Sequence, residues 1–278
     1  MTYSSLEISN DSGKPVGLYK FQWGNTIWRY TSADRDITGV SEGGVETFTY
    51  TSVAISDNGV AQGGGQESDF TVRMQSDLPL PVLFRGTPPS AEILLTCRHK
   101  HADDDDAPVF WTGTVGNVKT LDDVSASVVC RTLGASLKRT GLRLAWGRPC
   151  PHALYDRGCR VDPALFAVPG VVTAKDGTTI TVSGAAAATP GIYLGGFVTW
   201  EVNGDGTLER RGIEATADGG VFTLYGRADR IEVGYDVIMN RGCDHTSLVC
   251  ETDFDNLANN GGFDFLPNKS PFDGTPVF

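Results

Sequence analysis

The sequence predicts a mostly β protein, with an N-terminal β-barrel or sandwich followed by a second β region. Three observations carry this. Apolar and polar residues alternate over many short runs. Gly, Asp and Asn separate the runs, with 34 glycines in 278 residues. Long runs with helical period are missing. The length suffices for two or three compact domains. A 40% hydrophobic and 21% charged composition excludes wholesale disorder.

Leu18-Tyr19-Lys20-Phe21-Gln22-Trp23 and Thr26-Ile27-Trp28-Arg29-Tyr30-Thr31 flank a Gly24-Asn25 turn, a hairpin signal. Phe48-Thr49-Tyr50-Thr51 reads as a short strand, which Val53-Ala54-Ile55-Ser56 extends or follows. Gly63-Gly64-Gly65 reads as a flexible break. Phe70, Val72 and Met74 alternate with Thr71, Arg73 and Gln75 in a half-buried strand that Pro79 and Pro81 end. Strands follow at Ile93, Leu95 and Cys97, at 109–115, and at Val124, Ala126, Val128 and Cys130. This spacing suggests a barrel or sandwich of about 130 residues.

Residues 133–169 break the pattern. The second β region opens with a hairpin at 171–174 and 178–182 around Asp176-Gly177. Phe197–Val202 and Arg211–Ala215 flank a turn at Asn203-Gly204-Asp205-Gly206, and strands at 221–225 and 233–238 follow. Thr246 to Asn259 reads as a short helix capped by Thr246 or Ser247. The Gly-, Pro- and Phe-rich 261–278 reads as an extended tail. The boundaries are therefore 1–134 for the first β domain, 135–170 for a cysteine-containing connector, 171–241 for the second β domain and 242–278 for a cysteine-containing C-terminal segment.

The net charge is −11. Nucleic-acid readers carry a basic face, because phosphate contacts dominate their affinity. An acidic surface does the reverse. The first ten residues have no basic stretch and no apolar core, so no signal peptide is expected. No run approaches the ~20 apolar residues of a membrane helix. Synthesis in a reducing cytoplasm follows, where thiols or metal ligands are favoured over disulfides.

The six cysteines divide in two. Cys97 and Cys130 fall on the apolar phase of alternating strands, as small core hydrophobes do. Cys150 and Cys159 stand before the second β region, and Cys243 and Cys250 after it. If that region is a meander, its ends meet and four thiolates converge, a donor set suited to zinc or an iron–sulfur cluster. The spacings leave three readings open: a metal site, free buried thiols, or disulfides. His152 and His245 beside them read as supporting or surface histidines more readily than ligands. His99, His101 and Asp103-Asp104-Asp105-Asp106 read as a solvated hairpin tip, and Asp205 as a turn residue rather than part of a calcium loop. No nucleophile elbow, phosphate loop or His-Glu-x-x-His motif occurs. Cys150 and His152 lie too close in sequence for a usual catalytic dyad. The five tryptophans, Trp23, Trp28, Trp111, Trp146 and Trp200, fall mostly at strand or core-like positions, against a carbohydrate- or receptor-binding module. A cell-wall hydrolase or such a receptor-binding module stands as the alternative to a structural protein.

Lys138-Arg139-Thr140-Gly141-Leu142-Arg143, leading to Cys150-Pro151-His152-Ala153-Leu154-Tyr155 and Cys159, resembles the middle of the BR0599-like family. These are baseplate hub or minor tail proteins of long-tailed phages and gene transfer agents. Gly242-Cys243-Asp244 with Cys250, and Phe254-Asp255-Asn256 followed by Asn260-Gly261-Gly262-Phe263 and Pro267, resemble its C-terminal pattern. Asp255 replaces the family's usual Asn, and Asp264 stands where a Pro is usual. Trp28-Arg29-Tyr30-Thr31-Ser32-Ala33-Asp34 and 110–115 resemble its N-terminal part, so the likeness runs through nearly the whole chain.

The resemblance implies a non-enzymatic homotrimeric hub at the virion tail tip, assembled in the host cytoplasm. Its expected partners are a distal tail ring above, a central fibre or spike below, and the tape measure protein, with DNA passing unbound. It implies a tail-tube-like first domain around the DNA channel. It also implies that Cys150, Cys159, Cys243 and Cys250 hold an iron–sulfur cluster of the 4Fe-4S type, with zinc the alternative, within the second domain.

Overall fold

A computed structural model describes residues 15–60, 70–101, 106–132, 134, 135, 141 and 146–266. The chain divides into two compact units, Met1–Arg139 with Val202–Leu208, and Thr140–Glu201 with Glu209–Phe278. Among the described residues no helix is long and apolar enough to cross a membrane.

The first unit holds β1 (Pro15–Trp23), β2 (Thr26–Thr31), β3 (Ile37–Ser41), β4 (Thr47–Ser52), β5 (Ser56–Asp57), β6 (Phe70–Gln75), β7 (Leu94–His101), β8 (Val109–Thr120) and β9 (Ser125–Thr132). They form one nine-stranded sheet in the order β3-β4-β2-β1-β7-β8-β9-β6-β5. Trp23 pairs with Thr26, so Gly24 and Asn25 alone make the first turn, with Gly24 at φ +57°. Positive φ is the geometry such a two-residue hairpin needs. Tyr19, Phe21 and Trp23 enter a core with Phe70, Val72, Leu95 and Trp111. Leu18, on the opposite phase of β1, enters a second cluster with Val40 and Tyr50. A central strand buried on both faces accounts for this pattern. Cys97 and Cys130 are fully buried in the main core.

Tyr19 of β1 donates to the Asp57 carboxylate of the far-edge strand β5 at 2.5 Å. The sheet therefore curls, although its ladder stays open between β3 and β5. Two elements escape the sequence pattern. In β3 only Val40 is buried, and the pairing shifts between Ile37 and Val40. Pro79, expected merely to end β6, starts a short helix, α1 (Pro79–Leu83), where its missing N–H costs nothing.

Glu42, just past β3, collects three partners. Lys20 and Arg29 ion-pair with its carboxylate, and the Tyr50 hydroxyl donates to it at 3.0 Å. Burial alone would raise its pKa, but the Arg29 and Lys20 hydrogen bonds and charges outweigh burial and hold it at about 2, against 4.5 for a free side chain. A depressed carboxyl contributes stability above its unfolded pKa and loses it as pH falls through the folded one. We expect Glu42→Gln to cost about 1–2 kcal/mol at neutral pH after allowance for solvent screening. Urea titrations should show wild-type stability falling between pH ~4.5 and ~2 more steeply than that of the variant.

The second unit is the barrel. It comprises β10 (Ala167–Asp176), β11 (Thr179–Ser183), β12 (Phe197–Glu201), β13 (Leu208–Ala217), β14 (Val221–Leu224) and β15 (Asp236–Asn240). They close in the order β10-β11-β14-β13-β12-β15, so the region is not a simple meander. The closed barrel thus lies in the second unit rather than the first. Its ends still meet, because β15 pairs with β10 from Ala167↔Asn240 to Val171↔Asp236. Val172, Ile180, Val182, Val198, Ile213, Phe222 and Met239 fill the interior.

Candidate functional site: a four-cysteine pocket

The pairing of β10 with β15 brings the segment before one strand beside the segment after the other. The Cys150 amide donates to the His245 carbonyl at 2.8 Å, joining the two cysteine blocks directly. Asp156 shapes the first block. Its carboxylate accepts from the amides of Gly158 and Cys159, both at 2.7 Å, and from Ala153 at 3.2 Å. These bonds, that from Cys159 foremost, hold the carboxyl below its usual pKa. Tyr155, at φ +67°, sends its hydroxyl to the Arg241 carbonyl at 2.9 Å.

The second block is carried by a short helix, α2 (Ser247–Thr252), whose N-cap Thr246 accepts from the Val249 amide at 3.2 Å. The helix buries Cys250, and the chain then turns back through Asn256 to Gly262. Cys159, Val161 and Phe254 make a small apolar cluster, with Phe166 packed on Phe254 at 4.8 Å. Glycine is required at 262, where a Cβ would lie 2.4 Å from the Arg148 carbonyl oxygen.

Cys150, Cys159, Cys243 and Cys250 line one pocket, together with His152 and His245. Each sulfur has a polar neighbour. The Gly261 amide donates to Cys150 Sγ at 3.4 Å and the His245 amide to Cys243 Sγ at 3.3 Å. The Asn256 amide group donates to the Cys159 carbonyl at 2.6 Å, with Cys159 Sγ 3.8 Å away. The Cys250 thiol donates to the Asn256 carbonyl at 3.3 Å. Burial raises the pKa of Cys243 and of Cys250.

This corrects the cysteine-ligated metal cluster expected in the second domain. Among the described residues no group of three or more His, Cys, Asp or Glu side chains could hold a metal ion. The barrel is closed by its own ladder. No disulfide joins any of the six cysteines.

The thiols differ in access. We expect Cys150 and Cys243, half-buried at the pocket, to be alkylated by iodoacetamide in the native protein at pH 8. Cys97 and Cys130 should react at least ~100-fold more slowly, because they need local unfolding. Burial, then the neighbouring Cys130 and Asp57, push the Cys97 thiol further up. Peptide mass spectrometry over time reads the order, and early labelling of Cys97 would contradict it.

The remaining sequence candidates lie elsewhere. His99 stacks on Phe110 at 3.7 Å, and His101 is buried at the end of β7. Asp103 to Asp105 lie outside the described residues, as do 138–140, 142–143 and Pro267. Asp205 is a turn residue whose carboxylate accepts from the Thr26 hydroxyl at 2.6 Å and the Thr207 amide at 2.8 Å. Trp146 departs from its core-like reading. It is 78% exposed and stacks on Phe263 at 4.9 Å. Asn256 belongs to the C-terminal pattern in the sequence, but its position after Phe254-Asp255 gives no hint that its side chain reaches back to Cys159. Asp156 did carry a signal, because Asp-x-Gly marks a turn in which the carboxylate bonds nearby amides.

Two family models match the chain. One, described as "Baseplate hub protein, N-terminal attachment domain", matches residues 21–162, just over half of the 278 residues. The other, "Phage conserved hypothetical protein BR0599", matches residues 191–270. An uncharacterized protein of Xylella fastidiosa (strain 9a5c) is 28% identical over 189 residues, covering 62% of this chain and 38% of that protein. The chain therefore spans well under half the length of that relative. A chain of the virion of a native gene transfer agent particle has the same fold, with a TM-score of 0.74, 17% identity, and coverage of 100% of this chain and 99% of that one. The first model takes in Cys150 and Cys159, and the second Cys243 and Cys250. With matches flanking the barrel's first strands on both sides, the chain belongs to the family of phage baseplate hub proteins, which are structural proteins of the tail.

Proposed function

We propose that this chain is a structural, non-enzymatic subunit of the virion tail tip. In this reading three copies form a hub that joins a distal tail ring above to a central fibre or spike below, around the path of the DNA. The observation that carries it is the hub-family match through the first unit. The full-length likeness in fold to a gene transfer agent virion chain supports it. A net charge of −11 suits a wall that DNA must pass without adhering, since it offers few cations to displace counterions from phosphate.

The test is reconstitution. The chain is co-expressed with the distal tail protein, the fibre protein and the tape measure protein of the same virion, and complexes are isolated by size and imaged. A complex with threefold symmetry bridging ring and fibre supports the reading. Recovery of the chain alone, with every partner folded and present, overturns it. Retention of duplex DNA at low salt would overturn the passive-channel part by itself.

A further inference from the structure

We infer that the two open edges of the nine-stranded sheet meet between copies of this chain, head to tail, with the β3–β4 tip of one copy seated in a groove beside β6 of the next. The inference rests on the homo-oligomer reading above and deepens it by naming the surfaces.

The first edge is β3, which continues into a tip of Gly43, Gly44, Val45 and Glu46. Val45 is fully exposed at 102%, and among the described residues nothing lies within 4 Å of where a Cβ at Gly43 or Gly44 would be. An aliphatic side chain thus stands at the end of a two-stranded projection, followed by an exposed carboxylate. The second edge is β5, a strand of two residues that leaves most of the neighbouring β6 uncovered. The outer side of β6 is covered by β5 at Ser56↔Arg73 and Asp57↔Val72, and by Asn58 at Thr71. Past that cover, Met74 and Gln75 open onto a groove of about 360 Å³. Ala54, Ile55, Met74 and Val124 give the groove apolar walls, and Val124 is 72% exposed. Arg73 supplies a cation at its rim.

The two edges complement each other. Val45 is the apolar insert that the groove lacks, and Glu46 beside it is opposite in charge to Arg73. Open strand edges are templates for pairing with another chain unless something covers them. Tip and groove are different patches of the same sheet, so the contact is heterologous. It closes into a ring when the rotation per subunit divides a full turn, as in a trimer.

Light scattering at fixed concentration, with circular dichroism to verify folding, tests this on wild type, Val45→Asp, Arg73→Glu and the charge exchange Glu46→Arg with Arg73→Glu. We expect both single variants to fold as wild type and to associate about tenfold or more weakly. The charge exchange should recover much of the loss. Mixing Val45→Asp with Arg73→Glu should restore one contact only, because one partner keeps its groove and the other its tip, giving dimers that go no further. Variants that assemble as wild type does would overturn the proposed surfaces while leaving the homo-oligomer reading intact. A wild-type chain that stays monomeric, alone and with its tail partners, would overturn both.

Discussion

A Gly242→Ala variant is expected to be recovered without a folded barrel. A Cβ at this position would lie 1.8 Å from the Leu194 carbonyl oxygen and 2.6 Å from the Gly196 nitrogen. Both are backbone atoms, so no side chain can swing aside. The opposing strand is equally tight, since a Cβ at Gly196 would meet the Asn240 oxygen at 2.2 Å. The Gly242 amide is also committed, donating to the Ile192 carbonyl at 2.9 Å. A single methyl group must therefore separate the exit of β15 from the entry of β12. Overpacking typically costs about 1–3 kcal/mol, and an immovable backbone on both sides places this variant above that range, at roughly 4 kcal/mol or more. Gly177→Ala is the control. Its φ is +57°, yet among the described residues nothing lies within 4 Å of its Cβ, so only the conformational cost of about 1 kcal/mol applies. Urea unfolding of both variants checks the contrast. A Gly242→Ala protein as stable as Gly177→Ala would show that the strands are not in contact as described.

The next largest effect is expected at Glu209. This carboxylate is fully buried, and both Arg211 and Arg230 ion-pair with it, the latter at 3.1 Å. Their side chains are themselves 6% and 15% exposed. Burial lowers the pKa of Arg211, and the Glu209 charge opposes that shift. Glu209→Gln keeps the shape and removes the charge, leaving two guanidinium groups in a low-dielectric interior. Breaking a buried pair in this way costs about 3–5 kcal/mol. Replacing Glu209 and Arg211 together by leucine and methionine should be less damaging than Glu209→Gln, because one of the two buried cations goes as well. Equilibrium denaturation of the single and double variants measures the difference, and a harmless Glu209→Gln would mean the cluster is solvated.

Glu209 also shows where sequence reading runs out. In β13 the buried phase carries Glu209, Arg211 and Ile213. The period of two is present, but two of its inward residues are charged, and a pattern that equates apolar with buried starts the strand only at Arg211. Strands whose inward residues are apolar, such as Phe70–Gln75, are legible to the residue. Hairpins with Gly at the turn are legible for the same reason. The order of the barrel strands is not, because pairing β14 with β11 and β12 with β15 depends on long-range packing that no local run encodes. At the candidate site the convergence of four cysteines was readable as a possibility from their positions on either side of one β region. The polar neighbours of each sulfur were not. They are the amides of Gly261 and His245 and the carbonyl of Asn256, backbone groups that any residue type could supply.

The pairing of β10 with β15 has a kinetic consequence. The barrel opens with residue 167 and is sealed only by 236–240. Contacts between such distant segments form late, since the entropy of closing the intervening chain is lost before they reward it. During synthesis a nascent chain that has not yet extruded β15 holds an unsealed sheet with two raw edges, the state most open to mispairing with neighbours on the same message. The thiol pocket, whose halves flank these two strands, matures only after that seam is shut. Cys150 and Cys159 therefore wait through the whole of barrel synthesis for Cys243 and Cys250, which follow the sealing strand in the chain.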